Sequence, residues 1–163
     1  YNVVEVAAAA ARGIPVSNVP EYGTASVAQF VLALILELAH HIGDHHAAVR
    51  RGEWTKGPDY SFRLSLLSEL AGKTLAVVGF GRIGRAVGEI AHSFGMPVLA
   101  VARTRRDPPS WKPFSWGTVE EAFGRGDIVR HHQPGESRVQ RWSGTLRCVG
   151  CGRTGLGLPL VRT

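Results

Sequence analysis

The 163-residue sequence is poor in cysteine and has no long hydrophobic run. Its two cysteines, Cys148 and Cys151, form a single CxxC pair, which cannot build a disulfide framework, so a reducing cytoplasm is the expected location. The longest strictly apolar run, Phe30 to Leu36, is far shorter than the roughly 20 residues of a membrane-spanning helix. A charged-then-apolar leader with a cleavage site is also missing. We therefore expect neither a membrane partner nor secretion.

The net positive charge is small over most of the chain and concentrated at its end. The net charge is +6, of which residues 1–129 carry +1 and residues 130–163 carry +5. The arginines of this last segment are not interleaved with aromatic residues beyond Trp142 and form no nucleic-acid motif. We therefore expect no nucleic-acid partner, although phosphate contacts by the arginines are the alternative.

The remaining composition is that of a globular protein, with 44% hydrophobic and 20% charged residues. The first residue is Tyr1 rather than Met, which suggests that the true beginning is missing. An alanine-rich helix is predicted up to Gly13, followed by a short strand from Ile14 to Val19. Thr24 is placed to cap a helix that runs to about His41, or through Arg51 after a break. Residues 52–68 are predicted to be an extended arm.

From about residue 70 the pattern changes to strand, helix, strand, helix, strand. This order is typical of a parallel α/β sheet with right-handed crossovers. The predicted elements are a strand at 74–78, a helix at about 82–94, a strand at 97–101, a short helix opened by a capping box at 118–121, and a strand that starts at 127–129.

A Gly-rich turn, GFGRIG, joins the first of these strands to the first helix. In this context the motif predicts dinucleotide binding rather than an ordinary turn. Gly79 permits the tight turn, Gly81 lets the backbone approach a pyrophosphate, and Gly84 lets the helix pack on the strand. The free N–H groups of Arg82 and Ile83 lie at the positive end of the helix dipole.

The end of the second strand lacks the carboxylate that normally binds the adenine ribose of NAD. Ala102 occupies that position, and Arg103 and Thr104 follow it. Arg103 can pair with a 2′-phosphate, which favours NADP(H) as the cofactor, with NAD(H) also possible. The alternative is that the arginines here form a solvated loop.

Two separated segments resemble one enzyme family. The segment GIPVSNVPEYGTASVAQ, from Gly13 to Gln29, resembles the D-isomer-specific 2-hydroxyacid dehydrogenases. So does ELAGKTL, from Glu69 to Leu75, which runs into the Gly-rich turn. Within the family the sequence is most similar to the glycerate dehydrogenase and hydroxypyruvate reductase group. The resemblance covers about residues 1–129.

This resemblance implies a two-domain oxidoreductase that reduces a small 2-keto acid to a D-2-hydroxy acid. It places Thr24 and Val27 near the nicotinamide, and the main-chain amides of Arg82 and Ile83 on the pyrophosphate. The long helix and the arm through Trp54 resemble the segment that such enzymes use to form homodimers. The expected fold is the first βαβαβ half of a doubly wound Rossmann sheet with a remnant of the substrate domain.

The resemblance also divides the chain. Residues 1–22 are interpreted as the substrate-domain remnant, 23–129 as the first half of the NAD(P)-binding domain, and 130–163 as an irregular tail. The tail is either genuine or translated out of frame. His132 and Pro134 resemble the family's His-x-Pro element, but Arg130 and His131 replace residues expected to be small and apolar.

No catalytic residue is assigned, because the catalytic Arg, Glu and His of this family come from later motifs that the sequence does not contain. We therefore expect cofactor binding without turnover. The alternatives are a non-catalytic dinucleotide-binding module like the corepressors of this family, and a fragment without function. In the fragment, loss of the second half of the sheet would expose the edge of the first strand.

The histidines and cysteines are also candidate ligands of a metal ion. His41 and His45 are one helical turn apart, and Cys148 and Cys151 have the spacing of half a zinc site. Neither pair is accompanied by further ligands at suitable spacing, so we expect no metal.

Overall fold

The computed structural model describes residues 4–19 and 21–131, and shows an α/β arrangement. Its elements in chain order are α1 (Val6–Ala11), α2 (Thr24–His40), α3 (Ile42–Arg50), β1 (Leu75–Val78), α4 (Arg82–Ser93), β2 (Val98–Val101), β3 (Phe114–Trp116), α5 (Val119–Arg125) and β4 (Ile128–His131).

The four strands form one parallel sheet in the order β3-β2-β1-β4. This is the order of the first four strands of the Rossmann fold, so the predicted fold class is confirmed. In the registers, Val78 lies beside Val101 of β2 and beside His131 of β4. The carboxyl ends of β1, β2 and β4 therefore lie together at one edge of the sheet.

The strand predicted at 127–129 is present, but two other expectations for the sheet were wrong: β3 was missed, and the edge of β1 is paired. Strand β3 was not predicted, because three residues are too short to show a periodic pattern. The strand predicted at 127–129 is β4, which pairs with β1 on the side opposite β2. Strand β1 is thus paired on both sides. The expectation that a broken half-domain would expose the edge of β1 is therefore wrong.

The core lies on both faces of β1, whose four residues are all buried. Leu75 and Val77 face a large apolar cluster that includes Leu32 of α2 and Val87 of α4. Residues on the other face of the sheet pack in a second cluster with Ala122 of α5. Coverage on both faces explains why β1 reads as a continuous apolar run.

The long helix predicted from residue 24 is divided at His41. His41 has a left-handed backbone, with φ of 49°, and separates α2 from α3. Glu37 stabilises the junction, because its carboxylate accepts the Gly43 N–H at 3.1 Å. Among the described residues no single helix is long and apolar enough to cross a membrane; α2 and α3 meet that test only when taken together, across a 63° bend.

Four local expectations can be compared with the structure. Residues 14–19 form no strand, since none of their backbone groups pairs in the sheet. Thr24 is the first residue of α2 rather than its cap; Gly23 is the N-cap and makes no side-chain bond. The capping box at Thr118 is present, and residues 52–68 contain neither helix nor strand, as predicted.

Candidate functional site

The Gly-rich turn is fastened to the end of the neighbouring strand β2. Gly79 has φ of +99°, a conformation that side-chain-bearing residues rarely adopt. The N–H groups of Gly79 and Phe80 both donate to the Val101 carbonyl, at 2.9 and 3.1 Å. The turn therefore leaves β1 in a defined direction and starts α4 at the carboxyl edge of the sheet.

The other two glycines of the motif have different surroundings. A Cβ on Gly84 would overlap the carbonyl oxygen of Gly79 and lie 3.2 Å from Cγ1 of Val77, so only glycine permits this close packing of helix on strand. A Cβ on Gly81 would meet no atom within 4 Å. Gly81 thus faces open space on the side where a ligand can approach the backbone.

The start of α4 places backbone N–H donors without an intrahelical acceptor beside this open space. Arg82 and Ile83 are the first two residues of the helix, so their N–H groups have no intrahelical acceptor. The N-cap residue, Gly81, supplies no side-chain bond to them. Such N–H groups, at the positive end of the helix dipole, suit a phosphate group.

The residues that follow β2 lie at the same edge of the sheet. Ala102 is half-buried against the core, whereas Arg103 and Thr104 are exposed. The guanidinium of Arg105 lies 5.9 Å from the ring centre of Trp116 on β3. Arg103 therefore presents an exposed cation directly after Ala102, while Arg105 packs on an aromatic ring.

The first turn of α2 contains Thr24 and Val27, and α2 packs with α4 in one apolar cluster. Both side chains are half-buried in the first turn of α2. Three residues before Thr24, the Glu21 carboxylate forms an ion pair with Arg82, with Oε1 and Nη1 separated by 2.6 Å. This ion pair links the segment before α2 to the first residue of α4.

Sequence reasoning overlooked Glu21 in this region. Its partner Arg82 is 61 residues away in the sequence, a separation at which no local pattern signals a contact. Asp127 was also overlooked as a structural anchor: its Oδ2 accepts the Thr74 N–H at 2.8 Å and fastens the start of β1 to the segment before β4.

Arg130 is a charged residue that is buried in the core. It is 8% exposed, and its Nη1 has no hydrogen-bond partner among the described residues. Burial lowers the pKa of Arg130 to about 10. The pKa of His131 is also lowered, mainly by burial and further by the charge of Arg130.

The histidines considered as metal ligands have other contacts. The His45 ring accepts the Leu64 N–H at Nε2, at 3.0 Å, which leaves Nδ1 to donate to the His41 carbonyl at 2.8 Å. His45 therefore ties the arm to α3. Within residues 4–19 and 21–131 no three His, Cys, Asp or Glu side chains come together as a metal site. Cys148, Cys151 and the His132 to Pro134 element lie outside the described residues.

A shallow cleft opens at the opposite, amino-terminal edge of the sheet. Its lining includes Thr74, Pro97 and Pro113, which precede β1, β2 and β3, and Arg125 of α5. In open α/β sheets ligands bind outside the carboxyl ends of the strands, so this cleft is not the expected cofactor site.

Comparison with known proteins identifies the family of the chain. Residues 32–144 match the family model described as the D-isomer specific 2-hydroxyacid dehydrogenase, NAD binding domain. The match continues past residue 129, where we expected the resemblance to end. A hydroxypyruvate reductase from Blautia hydrogenotrophica is 42% identical over 82% of this chain, and a glyoxylate reductase from Pyrococcus furiosus is 41% identical over 79%. The chain spans only 42% and 39% of those two relatives.

Solved structures with the same fold contain bound dinucleotides. An NADPH-dependent glyoxylate/hydroxypyruvate reductase from Sinorhizobium meliloti, in complex with NADP and malonate, matches with a TM-score of 0.68 and 32% identity over 84% of this chain and 41% of its own. A D-lactate dehydrogenase from Aquifex aeolicus, complexed with NAD and lactic acid, matches with a TM-score of 0.68 and 27% identity over 83% of this chain and 39% of its own. The chain belongs to the D-isomer-specific 2-hydroxyacid dehydrogenase family, and residues 32–144 match the NAD binding domain of that family.

Proposed function

We propose that this chain is the cofactor-binding part of an NAD(P)-dependent oxidoreductase that reduces hydroxypyruvate or glyoxylate. The observation that carries the proposal is the Gly79–Gly84 turn, with open space at Gly81 and unpaired N–H groups at the start of α4. The substrate class is supported by the relatives, which are a hydroxypyruvate reductase, several glyoxylate reductases and a glycerate dehydrogenase.

In this proposal each group of the site has one task. The N–H groups of Arg82 and Ile83 bind the pyrophosphate, and Gly81 leaves room for it. Thr24 and Val27 line the nicotinamide end of the site. When bound, the nicotinamide supplies the hydride that reduces the keto acid. We assign none of the described side chains to the proton transfer, so we expect cofactor binding without turnover.

NADP(H) is the proposed preference over NAD(H). Ala102 stands where a ribose-binding carboxylate is expected in NAD-specific sites, and the exposed guanidinium of Arg103 follows it. A relative with the same fold was solved with NADP bound, whereas another was solved with NAD. The side chains at the end of β2 therefore carry this part of the proposal.

We also propose that the protein forms a homodimer and is located in a reducing cytoplasm. The dimer is supported by large apolar side chains that are exposed on α2 and on the arm, among them Leu38, Tyr60 and Leu66. The cytoplasmic setting is supported by the low cysteine content.

The substitution Gly81→Val tests the binding site directly. Because a Cβ at Gly81 would meet no protein atom within 4 Å, we expect the variant to fold while its isopropyl group occupies the space of the pyrophosphate. NADPH binding, measured by titration calorimetry, should fall at least about tenfold, the loss expected when charge-assisted hydrogen bonds are prevented. Gly124→Val, at an exposed position of α5 that is equally free of neighbours, is the matched control.

Two results would contradict the proposal. One is a wild-type chain that binds neither NADPH nor NADH, and the other is equal NADPH affinity in wild type and the Gly81→Val variant. Steady NADPH oxidation with hydroxypyruvate would contradict the expected absence of turnover. Dinucleotide-dependent capture of a protein partner by the inactive chain would instead favour a non-catalytic dinucleotide-binding module.

A further inference from the structure

An ion pair lies at the entrance to the proposed pyrophosphate site. Nη1 of Arg82 and Oε1 of Glu21 are 2.6 Å apart, and both side chains are mostly exposed. Arg82 is the first residue of α4, so its guanidinium is attached to the helix turn whose N–H groups face the open space at Gly81. The Glu21 carboxylate thus already holds a cation that is placed to meet the anionic pyrophosphate.

The backbone of Glu21 also distinguishes this residue. Its φ is 66°, in the left-handed region that residues with a side chain rarely adopt. The Glu21 carbonyl accepts the Thr24 N–H at 3.5 Å, so this conformation belongs to the turn that leads into α2. The turn directs the carboxylate towards α4, which keeps a negative charge close to the predicted phosphate position.

We infer that Glu21 restrains cofactor affinity by competing with the pyrophosphate for Arg82. The inference rests on the proposed dinucleotide site and names a residue that tunes it. If Arg82 leaves Glu21 to bind the phosphate, the ion pair must be broken. If Arg82 contacts both groups, its charge and its N–H donors are shared between two anions, so it binds the phosphate more weakly. Either arrangement makes the Glu21 charge unfavourable to binding, so the sign of the effect is the same.

The variant Glu21→Gln tests the inference with ADP-ribose, which carries the pyrophosphate without the nicotinamide. We expect ADP-ribose to bind about two- to fivefold more tightly to the variant in low salt, because an exposed ion pair is worth a factor of this size. The gain should shrink as ionic strength rises, since salt screens exposed charges. Titration calorimetry at two salt concentrations measures both effects.

Glu53→Gln is the matched control. Glu53 forms a similar exposed ion pair, with Oε1 at 2.8 Å from Nε of Arg51, and lies in the arm. Both variants remove one negative charge from the chain. A general effect of net charge would therefore increase ADP-ribose affinity equally in the two variants and would overturn the inference.

A double-mutant cycle shows whether Glu21 acts through Arg82. In an Arg82→Met background, the Glu21→Gln substitution should leave ADP-ribose affinity almost unchanged, because the cation for which the two anions compete is missing. Equal or weaker binding by Glu21→Gln than by wild type, or the same gain in both backgrounds, would overturn the inference. A wild-type chain that does not bind ADP-ribose would overturn the proposed function itself.

Discussion

Arg130 is a charged residue at a position of the sheet where the core is apolar. In the parallel register it lies beside Val77, so both side chains face the cluster formed with α2 and α4. The Arg130 side chain is almost fully buried, and its Nη1 has no partner within residues 4–19 and 21–131, although buried cations are usually paired. The folded chain therefore pays a desolvation penalty that an apolar side chain would avoid.

We predict that Arg130→Met stabilises the chain. Replacement of buried charges by apolar groups of similar volume is often stabilising by about 1–4 kcal/mol, which corresponds to an increase of several degrees in the unfolding temperature. Arg125→Met, at a mostly exposed residue of α5, is the control and should change the midpoint little. A lower midpoint in Arg130→Met, measured by thermal unfolding at pH 7, would show that the guanidinium is favourably solvated or paired.

The same variant should change the titration of His131. The charge of Arg130 is the second cause, after burial, of the lowered pKa of His131. Because the charged imidazole is disfavoured in the folded state, the unfolded chain binds protons more readily, and stability falls as the pH drops through the ordinary histidine range. In Arg130→Met the pKa of His131 should rise but stay below its ordinary value, which an NMR titration of the imidazole signals can measure.

Arg103 determines the cofactor preference in our proposal, and this is also a residue-scale prediction. Arg103→Met should weaken NADPH binding about tenfold or more, the loss expected when a cation leaves a phosphate, and should leave NADH binding unchanged. Arg106→Met, another exposed arginine of the same loop, is the control. Equal losses for NADPH and NADH would show that Arg103 does not contact the 2′-phosphate.

At the scale of elements, α5 depends on its capping box. Thr118 Oγ1 accepts the Glu121 N–H at 3.2 Å, and the Glu121 carboxylate accepts the Thr118 N–H at 2.8 Å. We expect Thr118→Ala to lower the free energy of unfolding by about 1 kcal/mol, the usual cost of losing an N-cap. Denaturant unfolding measures this cost. Thr55→Ala is the control, because the Thr55 hydroxyl bonds to the Gly52 carbonyl in the exposed arm, and an equal loss there would contradict the assignment.

The elements that the sequence predicted correctly are those with strong local signals. The Thr118 capping box is set by residues three apart, and β1 and the turn that follows it are set by a continuous apolar run and a glycine motif. Strand β3 has only three residues and gave no comparable signal. Its place at the sheet edge depends on pairing with β2, which is a tertiary contact that periodicity does not encode.

The same distinction applies to the candidate site. The roles of Gly79 and Gly84 could be predicted, because the turn geometry needs glycine at fixed positions of a local motif. The contact of Glu21 with Arg82 could not be predicted, since it depends on how α2 packs on α4. The buried position of Arg130 likewise depends on the sheet register rather than on its neighbours in the sequence.

At the scale of the whole molecule, the exposed apolar side chains are the feature with the clearest consequence for assembly. Large apolar side chains remain exposed on α2, as for Phe30 and Leu38, and on the arm, where Tyr60 is 91% and Leu66 is 81% exposed. Scattered apolar residues are normal on a protein surface, but several on each of two segments are typical of an interface. We therefore expect them to be covered by a second copy of the chain.

The substitution of Tyr60 and Leu66 by lysine tests this expectation. Wild type should elute in size-exclusion chromatography with light scattering at twice the 17.6 kDa of one chain, and the double variant at 17.6 kDa. Burial of two lysines is unfavourable in an apolar interface, whereas both positions are exposed in the single chain, so its fold should be retained. Phe94→Lys, at an exposed apolar residue that follows α4, should remain dimeric. A monomeric wild type, or a double variant that stays dimeric, would contradict a dimer formed through the arm.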